Sequence, residues 1–139
     1  MKIVLLGATK GMGRALARRL AERGDALFLL GRDPSALAAA ARDLTTRRSP
    51  KPESVPEVRH GRCDLEEPDG FGEALDGASA ALGGLDAVVV TAGLFATQDR
   101  LEADAALRRR LLEVDFVRTV EFCEAARERL LAGGRLADR

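Results

Sequence analysis

The segment Gly7-Ala8-Thr9-Lys10-Gly11-Met12-Gly13 constrains this chain more than any other. Before it, residues 2–6 (Lys-Ile-Val-Leu-Leu) form a short apolar run that reads as a buried parallel strand. After it, Met12, Leu16 and Leu20 recur at helical spacing while Arg14, Arg18 and Arg19 turn outward, which predicts a helix over 11–23 closed at Gly24-Asp25. Glycines at such a junction permit a tight turn and keep side chains away from the backbone N–H groups at the positive end of the helix. That is what a phosphate needs. A triphosphate-binding P-loop is disfavoured, because the Gly-Lys-Ser/Thr ending is missing.

The alternation continues along the chain. Residues 26–30 (Ala-Leu-Phe-Leu-Leu) predict a second buried strand, and Asp33-Pro34-Ser35 starts a helix running to about 46, with Asp33 as its N-cap. The proline-rich stretch 47–57 reads as a surface loop within one domain. A strand over 57–63, a helix over 69–82 and a β-branched strand over 85–90 follow. A helix over 102–131 with a bend near Val114 completes the pattern. Four strand–helix alternations predict an α/β fold: a doubly wound parallel sheet in the order 3-2-1-4, ending after the fourth strand and its helix.

Composition narrows the function. Acidic and basic residues balance at 22 each, which gives no bulk attraction to nucleic acid or an acidic membrane surface. No run of apolar residues is long enough to span a membrane, and the first strand starts at once with no leader pattern, so a cytoplasmic protein is expected. His60 is the single histidine, which excludes a histidine-based triad or a multi-histidine metal site. Cys63 and Cys123 are expected to be buried, reduced thiols.

The glycine spacing is G-x-x-x-G-x-G, and here the chain resembles the short-chain dehydrogenase/reductase family. Cys63-Asp64-Leu65 resembles the family's Asp-hydrophobic pair after the third strand, and Thr91-Ala92-Gly93 resembles its Asn-Ala-Gly motif, with Val90-Thr91 where two Asn are common. The run from Val88 to Gln98 is most similar to decaprenylphosphoryl keto-pentose reductases within that family. The resemblance implies a Rossmann fold binding NAD(P)(H), with a small carbonyl or alcohol substrate in a full-length parent. It places Gly7, Thr9, Lys10, Gly11, Met12, Gly13, Arg32, Asp64, Leu65, Ala92 and Gly93 at the cofactor, with Asp64 at the adenine edge. Arg32 follows the second strand where an NAD-preferring domain carries a carboxylate for the ribose. Arg32 and Lys10 suit a 2′-phosphate, so NADP(H) is expected over NAD(H).

The family's catalytic Ser, Tyr and Lys lie beyond the fifth strand. This sequence contains no tyrosine. Asp115 stands where the family's relay Asn is expected, and an ionised Asp cannot donate a hydrogen bond as Asn does. Residues 1–139 therefore read as one dinucleotide-binding domain, incomplete at its C-terminus. The ending, Gly133-Gly134-Arg135-Leu136 and then Ala137-Asp138-Arg139, points to a chain cut short by a premature stop, a frameshift or design. Three readings stay open: the cofactor half of an oxidoreductase, a non-catalytic NADP-binding or sensor module, and a subunit that needs a partner. The fourth strand is expected to remain an edge, and the chain to self-associate.

Overall fold

Successive side chains of the first strand point to opposite faces of a sheet, and both faces are covered. A computed structural model describes residues 1–47 and 57–133. In it β1 (Lys2–Leu6) sends Ile3 and Leu5 into one apolar layer and Val4 and Leu6 into another. The same alternation runs through β2 (Ala26–Gly31), whose Leu27 and Leu29 join the first layer and Phe28 and Leu30 the second. Strands buried on both faces must be apolar throughout, which is why these two read as continuous runs.

Helices α1 (Gly11–Arg23) and α2 (Pro34–Arg47) close the first layer through Ala17, Leu20, Leu37, Ala41 and Leu44. After β3 (Arg59–Arg62) and a 3₁₀ turn (Pro68–Gly70), α3 (Phe71–Leu82) covers the other face. The chain then enters β4 (Ala87–Val90), followed by α4 (Gln98–Ala103) and α5 (Ala105–Leu112). A π-helical turn (Glu113–Arg118) leads into α6 (Thr119–Ala132). Helices α3 and α6 meet through Phe71 and Phe122, whose rings pack edge to face with centroids 5.3 Å apart.

All pairings are parallel and the strand order is β3-β2-β1-β4, as the alternation predicted. Leu6 lies level with Leu30 on one side and Val90 on the other, and Gly31 with Arg62. Parallel strands in this register bring every strand-to-helix loop to one edge of the sheet. The order reverses beside β1, so the crevice of a doubly wound sheet opens between the loops after β1 and β4.

Asp33 caps α2 as expected, with its Oδ1 accepting from the N–H groups of Ser35 and Ala36. Two expectations need correction. The helix expected over 102–131 starts at Gln98 and breaks at Asp104, where the backbone is extended (φ −126°, ψ 100°) and the carboxylate caps Leu107 N–H at 3.0 Å. An Asp inside a helical repeat competes with the helix for its own backbone, and here it restarts the helix. At Val114, where a bend is expected, the helix winds as a π-helical turn. The second correction is Cys123, which is exposed on α6, while Cys63 is buried. The proline-rich stretch falls largely at 48–56, outside the described residues, as do residues 134–139.

Candidate dinucleotide site

The glycine turn is packed so closely that two of its positions have no room for a side chain. Gly7 has φ +104° and Gly11 φ +51°, both in the left-handed region that side chains disfavour. A Cβ on Gly7 would overlap Ala92 N and stand 2.8 Å from Ala92 Cα. A Cβ on Gly13 would overlap the Gly7 carbonyl oxygen and Thr91 Oγ1. Gly13 therefore lets α1 sit directly against the turn and against the end of β4. Thr91 secures the same junction: its hydroxyl donates to the Gly7 carbonyl at 3.1 Å, and its backbone N–H to Leu6 O at 2.9 Å.

A cleft opens above this junction, lined by residues from all four strand ends. Gly7, Thr9 and Lys10 come from the β1 turn, Gly31 and Arg32 from β2, Cys63 through Glu66 from β3, and Thr91 through Leu94 from β4. Val114 enters from the π-helical turn. Of the positions expected from the sequence, Gly7, Thr9, Lys10, Arg32, Asp64, Leu65, Ala92 and Gly93 are brought together here. Gly13 lies buried beneath the turn, and Gly11 and Met12 stand exposed at the start of α1. Asp115 is not in the lining; its Oδ1 accepts the Leu94 N–H at 2.6 Å and so holds the loop that is.

Charge around the cleft is uneven. Among the described residues Lys10 and Arg32 engage no hydrogen-bond or ion-pair partner, which leaves both cations available to an anion. No acidic residue occupies the first turn of α1, so nothing there offsets its positive end. Asp64 folds its own loop, with Oδ1 accepting from Glu66 N–H at 3.0 Å. Glu66 is gripped at both oxygens by Arg110 of α5, each at 2.7 Å. That contact holds its carboxyl below the usual range, with Arg32 adding a smaller pull in the same direction. Burial pushes the Cys63 thiol up to about 11, helped by the neighbouring Asp64 charge.

Sequence reasoning did not assign the Glu66–Arg110 pair, Leu94 or Val114 to the site. Glu66 and Leu94 adjoin the segments it did assign, while Arg110 and Val114 come from α5 and the π-helical turn, which reach the cleft only through packing. Thr91 carried a signal, as the polar residue closing an apolar strand level with the glycine turn.

A family model described as short chain dehydrogenase matches residues 1–136. The chain belongs to the short-chain dehydrogenase family. Cis-4-hydroxycyclohexanecarboxylate dehydrogenase of Sinomonas cyclohexanicum is 34% identical over 115 residues, covering 81% of this chain and 42% of that protein. The 1-deoxy-11-beta-hydroxypentalenate dehydrogenase of Streptomyces exfoliatus is 31% identical over 136 residues, covering 96% and 47%. Among solved structures, the alcohol dehydrogenase of the archaeon Thermococcus sibiricus, complexed with 5-hydroxy-NADP, superposes with a TM-score of 0.79 at 29% identity. That match covers 96% of this chain and 55% of the other. This short-chain dehydrogenase chain thus spans less than half the length of the two curated relatives. Among its described residues no helix is long and apolar enough to cross a membrane.

Proposed function

We propose that residues 1–139 act as one dinucleotide-binding unit of an NADP(H)-using short-chain oxidoreductase whose parent reaction interconverts an alcohol and a carbonyl. One observation carries this reading. At the β1–α1 turn a Cβ on either Gly7 or Gly13 would collide with neighbouring atoms, so only glycines let the N-terminus of α1 sit this close to the ends of β1 and β4, at the floor of the cleft. A helix N-terminus placed there suits a pyrophosphate.

The remaining residues take up the rest of the dinucleotide. Arg32, at the end of β2, suits a ribose 2′-phosphate through paired N–H donors, and Lys10 adds a second cation. Asp64 and Leu65 suit the adenine, one by its polar edge and the other by its buried apolar side chain. Ala92 and Gly93 let the far half of the dinucleotide approach the end of β4. When bound, the nicotinamide supplies the hydride acceptor or donor. Support for the 2′-phosphate comes from the availability of Lys10 and Arg32, and from the NADP analogue held by the archaeal alcohol dehydrogenase.

A second reading is favoured by one specific fact, that these 139 residues include no tyrosine. The family's acid/base step has no carrier here, so these residues alone bind the cofactor without turning over a carbonyl. The same reading covers a sensor module or a subunit completed by a partner. Self-association belongs to it as well: β4 is the edge of the described sheet and only half-buried, and Leu112, Phe116 and Val120 leave an apolar stripe exposed.

Calorimetric titration of the chain with NADPH tests the proposal. Saturable binding supports it; oxidation of NADPH against a panel of carbonyls would contradict the second reading, and binding without oxidation favours it. Absence of saturable binding by a folded chain overturns the proposal.

A further inference from the structure

The cleft is lined by two cations, Lys10 and Arg32, and two carboxylates, Asp64 and Glu66, and a further carboxylate lies beside its β4 side. Lys10 and Arg32 stand at the ends of β1 and β2. On the β4 side, Asp115 rises from the π-helical turn, and its Oδ1 accepts the Leu94 N–H at 2.6 Å. A Cβ on Gly93 would stand 2.9 Å from that oxygen, so Asp115 lies directly behind the loop that lines the cleft.

No cation among the described residues pairs with Asp115. The neighbouring basic groups are committed elsewhere. Arg118 bridges Glu113 at 2.9 Å and Glu121 at 2.7 Å. Arg110, one turn before Val114, grips Glu66. The carboxylate's charge is therefore not cancelled locally.

Building on the dinucleotide reading, the orientation of the ligand follows from the fold. With the 2′-phosphate at Arg32 and the pyrophosphate at the glycine turn, the nicotinamide half extends toward β4. The oxidised ring is a cation and the reduced ring is neutral, while the rest of the molecule keeps the same charge. We propose that Asp115 sets a redox preference, so that this chain holds NADP⁺ more tightly than an otherwise identical chain lacking that charge, with little change for NADPH. An Asn at this position, which the family pattern leads one to expect, would accept the Leu94 N–H equally well but carry no charge. The substitution separates anchoring from charge.

The test is the ratio of NADP⁺ to NADPH dissociation constants, measured by calorimetry for the wild-type chain and for Asp115→Asn. The expected result is about a threefold to tenfold loss of relative affinity for NADP⁺ in the variant, the size of a partly screened charge–charge contact. Asp115→Ala, which also loses the anchor to Leu94, weakens both forms. Rising salt narrows the wild-type preference, because phosphate contacts are common to both forms and cancel in the ratio. This second readout stands even if the variant fails to fold. A ratio unchanged by Asp115→Asn, or a wild-type ratio indifferent to salt, overturns the charge role and leaves the dinucleotide reading intact. Failure of the wild-type chain to bind either form overturns both.

Discussion

Gly13 has no room for a side chain because Thr91 Oγ1 and the Gly7 carbonyl oxygen already occupy the place of its Cβ. One contact thus couples the first helix, the glycine turn and the end of β4. Gly13→Ala is expected to force helix and turn apart, costing about 2 kcal/mol or more of stability and the cofactor affinity with it. Gly11→Ala is the contrasting variant. Nothing lies within 4 Å of its added Cβ, so only the positive φ of 51° opposes it, at about 1 kcal/mol. Chemical denaturation of both variants checks the order; equal losses would contradict it.

Asp25 is buried and held by two cations, Arg23 Nε at 2.6 Å and the Met1 amino group at 2.8 Å. Burial alone would raise its pKa, but these hydrogen bonds and charges together hold it below its ordinary value of 3.8. A carboxyl depressed in the folded state contributes stability above its unfolded pKa and loses it as pH falls through the folded value. Asp25→Asn should cost about 1–2 kcal/mol at neutral pH. The gap from wild type should close on acidification below the ordinary carboxylate range. A gap that persists at low pH would show that shape, not charge, holds this corner.

The two cysteines should react very differently. Cys123 is exposed, whereas Cys63 is buried in the cleft wall with its thiol pushed up to about 11. Against an ordinary thiol at 9.0, that leaves about a hundredfold less thiolate at neutral pH. Alkylation followed by mass spectrometry should show one fast site, Cys123, and one slow site that NADPH slows further. Equal rates at both would contradict the placement of Cys63.

The sheet was legible because its strands announce themselves. Ile3, Val4, Leu5 and Leu6 are apolar on both faces, and only a strand covered on both faces needs that. The glycine turn was legible for the converse reason, that Gly7 and Gly13 answer to contacts no other residue type allows. Asp104 was missed because a single polar residue does not interrupt a helical repeat, although its carboxylate caps a new helix. Cys123 was misplaced because its spacing from Val120 fits an apolar stripe, and spacing cannot tell whether anything covers that stripe. The roles of Asp115 and Arg110 depend on which loop each helix faces, information that lies in the packing of α5 and the π-helical turn.

Self-association has a direct readout. The stripe of Leu112, Phe116 and Val120 is exposed, with Phe116 at 69%. Sedimentation equilibrium should give a mass that rises with concentration, and Phe116→Glu should return the chain to monomer. A wild-type chain monomeric at every concentration would contradict this.

Titration of the folded chain and of Arg32→Asp with NADPH and with NADH tests the central claim most directly. The account predicts saturable binding of both cofactors, tighter for NADPH. It predicts that Arg32→Asp weakens NADPH by about 10- to 100-fold, as expected for a lost charge-assisted contact, and NADH much less. Equal losses for both cofactors would remove Arg32 from the 2′-phosphate site, and no binding of either by the wild-type chain would contradict the account itself.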